Sequence, residues 1–291
     1  MFKASEIILN TDGSVYHLHL HPEQVSDTII TVGDPERVQL VSRHFTTIEH
    51  TVENREFITH TGYYNNKRVT VISSGIGTDN IDIVLNELHI LKHVDLKTRK
   101  LLPLNNPLKI FRIGTSGSLH SDIPVDSFVA SHYAIGLDNL MHFYPFQNTK
   151  EEDALLQNLL TAIKFPATIS PYVFASSKEL QTHFNSGFHK GITMTCPGFY
   201  GPQSRAIFSS PILPNFLEQL NAFQFQTYRI CNFEMESSGL FGLSSLLNHQ
   251  CISLNAILAN RADGTFSKQP EKTIARLIEK CLDVIGGIDI I

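Results

Sequence analysis

The stretch TIITVGDPERV, residues 28–38, contains the change of pattern on which the fold turns. Thr28 to Val32 is a short β-branched run of the kind that forms a buried strand. The run stops at Gly33, Asp34 can cap a helix, Pro35 suits the first helical position, and Arg37 lies in the first turn. A strand that passes through glycine directly into a helix is the repeating unit of an α/β sheet. The same junction can seat an anion, because the glycine admits backbone N–H groups, the helix end adds partial positive charge and a guanidinium can grip two oxygens at once. An ordinary capped helix start has the same sequence, so this segment alone leaves that choice open.

Outward from it, further apolar runs predict strands at Arg68 to Ser73, Lys109 to Ile113, Ser127 to Ala134, Gly191 to Cys196 and Cys251 to Ala259. Helical spacing appears in Asn80 to His93, where Ile81, Val84, Leu85, Leu88 and Leu91 recur every three or four residues, and in Glu234 to Leu247 and Glu271 to Ile285. Short buried strands alternating with amphipathic helices define the class as α/β. The polar, proline-bearing stretch VDLKTRKLLPLNNPL (94–108) is expected to be a surface excursion. No Pro/Gly/Ser-rich linker divides residues 1–291, which predicts a single domain.

The chain has 291 residues, 42% hydrophobic and 18% charged, enough apolar material for a large core. Its 23 basic and 28 acidic residues give a net charge of -5, which provides no general footprint for nucleic acid or an anionic membrane. Any anion must therefore meet a local basic site. Cys196, Cys231, Cys251 and Cys281 form neither a CxxC pair nor a short disulfide framework, and reduced thiols are expected. The start MFKASEIILN has no long apolar core behind basic residues, and no uncharged run approaches the roughly 20 residues of a membrane span, so a cytoplasmic location is expected.

Two further glycine-bearing junctions, SSGIGTDN (73–80) and FRIGTSGSL (111–119), are predicted to lie as loops at carboxyl ends of strands, where α/β sheets bind ligands. In the second, Arg112, Thr115 and Ser116 place a cation and two hydroxyls beside Gly114 and Gly117, groups that suit phosphate and sugar oxygens. A glycine-rich turn with Arg112 in a salt bridge is the structural alternative. Neither segment has dinucleotide or P-loop spacing. NFEMESSGLF (232–241) puts Glu234 and Glu236 at the start of an apolar helix, either as an acidic first turn or as a carboxylate for paired sugar hydroxyls with Met235 packed on the sugar. CPGFYGPQSR (196–205) offers Phe199 to stack on a planar base and Gln203 and Arg205 to pair with its polar edge; a solvated turn is the alternative. YHLHLHP (16–22) would present His17, His19 and His21 on one face if extended, a minor candidate for metal binding.

In order and separation, GDPERV, ENREF, FRIGTSG, FYGPQSR and NFEMES resemble the uridine phosphorylase branch of the hexameric nucleoside phosphorylase family, from about Tyr16 to the last helix. The resemblance implies a three-layer α/β/α fold with a mixed, partly barrel-like central sheet, assembled from dimers. It implies that Gly33, Arg37, Arg112 and Thr115 hold phosphate, with Arg55 reaching in from a neighbouring subunit. His17, Met235 and Glu236 match ribose contacts, His17 again across the subunit boundary. Phe199, Gln203 and Arg205, with Ser116 and Gly117, match the base pocket. Arg261 stands where purine enzymes of the family carry an acid, and a cation there suits a uracil carbonyl. Some relatives hold a monovalent cation through residues matching Glu56 and Ile76, with Asn80 here in place of the usual serine. The chain departs from the family at Val125, Asp126 and Ser127, where Val-Gly-Asp is common, and the 94–108 stretch is longer than in compact bacterial enzymes.

The implied reaction is reversible phosphorolysis of uridine, deoxyuridine or thymidine, with inorganic phosphate as co-substrate and no resident organic cofactor. The minimal unit implied is a homodimer, alone or within a hexamer. Two alternatives stand beside it. One is purine phosphorolysis or nucleoside hydrolysis, with Asp263 as an acid; the other is a non-catalytic nucleoside or phosphate sensor.

Overall fold

The computed structural model describes residues 1–103 and 106–288. Its elements, in chain order, begin with β1 (Thr28–Val32), α1 (Pro35–Ser42), β2 (Thr47–Asn54), β3 (Phe57–Tyr64), β4 (Lys67–Ser73), α2 (Thr78–His93), β5 (Val94–Asp95) and β6 (Lys100–Leu101). They continue with β7 (Lys109–Ser118), β8 (Phe128–Gly136), α3 (Lys150–Ala162), β9 (Tyr172–Ala175), α4 (Lys178–His183), β10 (His189–Thr195) and α5 (Phe216–Ala222). The last are β11 (Gln224–Phe225), β12 (Tyr228–Glu234), α6 (Ser237–Leu246), β13 (Gln250–Asn260), β14 (Thr265–Phe266) and α7 (Pro270–Gly287).

One mixed sheet organises the chain, and part of it closes on itself. β7 pairs with β13, β13 with β8, β8 with β10, β10 with β12, and β12 returns to β7, which makes a five-stranded barrel. From the barrel the sheet opens through β1, β4, β3 and β2. The expectation that Gly114 to Leu119 form a loop is corrected here. β7 runs on to Ser118, because β13 supplies partners along its whole length and β12 takes over the other edge at Gly117 and Ser118.

β1 leaves that same edge after Thr31 pairs with Arg112. Between Arg112 and Gly117, therefore, β7 is paired only on its β13 side. This gap between the departing β1 and the arriving β12 opens a cleft in an otherwise continuous sheet, the same kind of branch point at which α/β sheets bind ligands.

Helices cover both faces. On one, Ile81, Val84, Leu85, Leu88 and Leu91 of α2 pack with Leu240, Phe241 and Leu243 of α6; on the other, Val38 and Val41 of α1 pack with Leu277, Ile278, Cys281, Leu282 and Ile285 of α7. The sequence placed Glu234 in the first turn of the helix now seen as α6, but Glu234 is the last residue of β12 and the helix starts at Ser237. Asp126 adopts a left-handed conformation (φ 67°), so the turn that departs from the family pattern is built by an aspartate whose carboxylate accepts hydrogen bonds from Ser267 and Thr273. The 94–108 stretch contains the β5–β6 hairpin, while residues 104 and 105 lie outside the described residues. No helix among the described residues is long and apolar enough to cross a membrane.

Candidate active site

The cleft holds a cavity of about 990 Å³, at the upper end of the range for small-molecule sites. Gly33 and Arg37 enter from the β1–α1 junction, Gly75, Ile76 and Asn80 from the β4–α2 junction, and Arg112, Thr115, Ser116 and Gly117 from the half-open edge of β7. Met235 and Glu236 come from the β12–α6 corner, and Phe199, Gln203 and Arg205 from the loop after β10. Glu56, at the β2–β3 turn, also faces the cavity. Six separate segments thus converge on one space.

Arg112 is held from several sides. Its Nη2 donates to Glu236 and lies 3.3 Å from Glu234 Oε2, and its Nη1 donates to Asn255 Oδ1 at 2.8 Å and Ser253 Oγ at 3.3 Å. Burial works against this charge, but Glu234 and Glu236 outweigh it and hold the guanidinium above its usual pKa. Gly114 is required beside it, because a Cβ there would sit 2.1 Å from Arg112 Nη1. Arg37 differs. Also buried, it forms no ion pair among the described residues, and its Nη1 makes one long hydrogen bond to the Ile113 carbonyl, 3.4 Å. Burial lowers its pKa, with Asp34 opposing and Arg112 adding to the effect. A buried guanidinium without a carboxylate partner, beside a second guanidinium, favours an anionic ligand.

The two glutamates divide their work. Glu234 accepts from Thr195 Oγ1 (2.5 Å), from the Glu236 and Ser237 N–H groups (2.9 and 2.8 Å) and from Ser237 Oγ (2.9 Å), so its oxygens are committed to shaping the corner. Burial pushes its carboxyl up, and Arg112 opposes the shift. Glu236 accepts from Arg112 and from the N–H of Gly77, 2.9 Å, which ties the start of α2 to the site. Gly77 can make this contact because it lies at φ 98°, a left-handed value open to glycine.

In the loop after β10, the Arg205 guanidinium stacks 3.7 Å from the Phe199 ring centroid and donates to Phe199 O (2.5 Å) and Gln203 Oε1 (2.8 Å). Arg261, expected at the base, is not among the residues facing the cavity. Its Nη1 and Nη2 donate to the carbonyls of Gln203 and Ser204, 2.9 and 3.4 Å, and so brace the loop from behind. Asp263, the acid of the purine alternative, also lies off the cavity and accepts from Ser121 Oγ.

Two expected contributors are not brought to this chain's cavity. His17 has its ring Nδ1 on Glu87, 2.7 Å, and Arg55 sits in a left-handed turn with its guanidinium 5.7 Å from the Tyr16 ring centroid. They form a separate surface patch. The extended metal-binding face predicted for 17, 19 and 21 is absent: His19 is left-handed and approaches Asp12, as does His21, while His17 turns to Glu87. Glu56 and Asn80 do meet, Asn80 Nδ2 donating to Glu56 Oε1 at 3.3 Å, with Ile76 exposed at the cavity edge. Sequence reasoning missed Ser253 and Asn255 as supports of Arg112. The available signal was a serine and an asparagine inside the apolar strand ISLNAILA, since polar side chains buried in a sheet need partners.

The protein-family model described as the phosphorylase superfamily matches residues 27–286. The chain is 27% identical over 275 residues to the uridine phosphorylase of Haemophilus influenzae, covering 93% of this chain and 95% of that protein. It is 24% identical over 288 residues to the uridine phosphorylase of Thermococcus kodakarensis, covering 99% and 92%. Among solved structures, a Trypanosoma brucei nucleoside phosphorylase reported to show uridine phosphorylase activity superposes with a TM-score of 0.91 at 27% identity, covering 97% of this chain and all of that one. The match takes in every strand of the barrel and every segment that lines the cavity, and on that ground the chain belongs to the phosphorylase superfamily.

Proposed function

We propose that this protein catalyses reversible phosphorolysis of uridine, giving uracil and ribose 1-phosphate. One observation carries the reading: a single cavity joins a buried arginine pair, a carboxylate–methionine corner and an aromatic–amide–guanidinium loop, which match the three parts of a phosphate–ribose–pyrimidine complex. Phosphate, held by Arg37, Arg112 and Thr115 near Gly33, attacks the anomeric carbon. The glycosidic bond breaks through an oxocarbenium-like state, as in other glycosyl transfers. The electron pair leaves with the base, and Gln203 and Arg205 donate to the charge that develops on it. Glu236 takes the ribose hydroxyls with Met235 beneath the sugar, Phe199 stacks on the base, and Ser116 and Gly117 line the space around it. Arg261 acts through the loop it braces.

Charge supports a dimer as the working unit. The charge of Arg112 is already met by Glu234 and Glu236, so Arg37 alone cannot balance a phosphate dianion. Arg55 and His17 share a surface away from this chain's cavity, and from there they would complete the seat of a second copy. A hexamer would be three such pairs. A monovalent cation between subunits at Glu56, Ile76 and Asn80 would have to replace the Asn80–Glu56 hydrogen bond. Cytoplasmic nucleoside salvage is the setting this reading proposes.

An ultraviolet assay of uridine, deoxyuridine, thymidine and inosine, each with and without phosphate, tests the reading. Uracil release that requires phosphate is expected. Faster release from inosine would make it a purine enzyme, phosphate-independent release a hydrolase, and binding without release of free base a sensor.

A further inference from the structure

Far from the cavity, three histidines face one another. His89 and His93 stand one turn apart near the end of α2, and His249 immediately precedes β13. One ring nitrogen from each lies within 4.8 Å of the other two. The ring centroids are 4.4 Å (His89–His93), 5.1 Å (His89–His249) and 5.6 Å (His93–His249) apart. Imidazoles bound to one tetrahedral ion at about 2.0–2.1 Å place their centroids roughly 5 Å apart, so these spacings suit three ligands of a common ion. We propose that His89, His93 and His249 bind a divalent transition metal of the zinc class and thereby staple the end of α2 to the start of β13.

A second observation points the same way. His93 is 4% exposed, and its Nδ1 is buried without a hydrogen-bond partner among the described residues. An orphaned nitrogen in the interior is costly unless something fills its lone pair or takes its proton. Burial, aided by the neighbouring imidazoles, holds His89 at about 4 and His249 at about 3; burial and Lys92 lower His93 as well. All three rings are therefore neutral near pH 7, the form that ligates metals. The adjacent cation, Lys92, is matched by Asp27 at 2.7 Å. His89 is only partly buried and offers an entry path.

The hydrogen bonds also set a ceiling on affinity. The Leu108 N–H donates to His249 Nδ1 at 3.1 Å, which leaves the proton of the metal-free ring on Nε2, directed at His89 Nδ1 at 3.0 Å. Ligation through Nε2 moves that proton to Nδ1 and gives up the Leu108 bond. Sites whose distal nitrogens donate to acceptors have no such cost, and this one should bind more weakly than they do. The role is structural, since Asn80 meets the cavity at the opposite end of α2, where Gly77 donates to Glu236.

The test uses the full chain stripped with a chelator, titrated with Zn²⁺ by calorimetry and with Co²⁺ by visible absorption. Expected are one ion per chain, an intense tetrahedral Co²⁺ spectrum, and a melting temperature that rises with free Zn²⁺ while turnover on uridine stays within twofold. His93→Gln and His89→Gln should each weaken Zn²⁺ binding at least tenfold and abolish the melting shift. No saturable ion, or an octahedral Co²⁺ spectrum in the wild-type chain, overturns the proposal even if the variants fail to fold. Binding that survives His93→Gln but disappears in His19→Gln also overturns it, by assigning the ion to the surface group of Asp12, His19 and His21.

Discussion

Arg37 and Arg112, the proposed phosphate ligands, should respond to truncation to very different degrees. Arg112→Ala removes the cation between Glu234 and Glu236, which are 4% and 5% exposed, and leaves two carboxylates buried without a counter-charge. Breaking a buried pair by removing one partner typically costs about 3–5 kcal/mol. At roughly 2 °C per kcal/mol for a chain of this size, the melting temperature should fall by roughly 6–10 °C. Arg37→Ala removes a buried guanidinium with, among the described residues, no ion pair and a single 3.4 Å hydrogen bond, so the loss should stay within about 1 kcal/mol. Both variants should lose phosphate. In the wild type, phosphate at 100 times its dissociation constant adds about 2.7 kcal/mol by mass action, roughly 5 °C. The assay is calorimetric melting at fixed protein concentration, first in phosphate-free buffer and then over a phosphate series. Arg37→Ala melting as low as Arg112→Ala without phosphate would refute the difference in charge balance, and a wild-type phosphate shift in either variant would refute its place in the phosphate seat.

Arg205→Ala should lower turnover on uridine by about 100- to 1000-fold, as loss of one charge-stabilising donor typically does, and full activity would remove this loop from the base pocket. Arg261→Ala, which frees the carbonyls of Gln203 and Ser204, should raise the KM for uridine with little change in that for phosphate; equal effects on both would show that it acts elsewhere. Asp126→Ala should cost about 2–3 kcal/mol in urea unfolding, from two lost hydroxyl hydrogen bonds and a side chain forced into the left-handed region. Asp126→Gly should recover the backbone part, and equal losses for the two would refute the strain. Burial, and secondarily Lys190, hold His132 at about 4 against 6.5 for an ordinary histidine. The unfolded chain therefore takes up that proton first on acidification, and the contribution of His132 to stability, complete above pH 6.5, is lost as the pH falls toward 4. His132→Gln should flatten this acid limb of the stability profile, and an equally steep limb in the variant would show that other groups produce it.

Local chemistry was legible in the sequence. β1 runs from Thr28 to Val32 as its β-branched content predicts, Asp34 caps α1 by accepting from the Glu36 N–H with Pro35 at the first position, and the apolar stripe of α2 is buried as its spacing requires. Each of these depends on neighbours within a few residues. The second half of β7 reads as a glycine-rich turn because its partners are more than a hundred residues away, on β12 and β13, and no local pattern reports them. The contacts of Arg261 were illegible for a similar reason. Its place in sequence suggested the cavity, but two carbonyls of the base loop, almost 60 residues earlier in the chain, take its donors.

By itself, the sequence determined the α/β class, the strand–glycine–helix junction and, through five motifs in order, the resemblance to a family. Only the tertiary structure decided which arginine already has its counter-charge. Arg37 and Arg112 look alike in sequence, but barrel closure brings β12 against the end of β7 and sets Glu234 and Glu236 on Arg112 alone. The charge on a side chain is fixed by its covalent structure. Whether that charge is already balanced depends on groups that folding brings within hydrogen-bond distance.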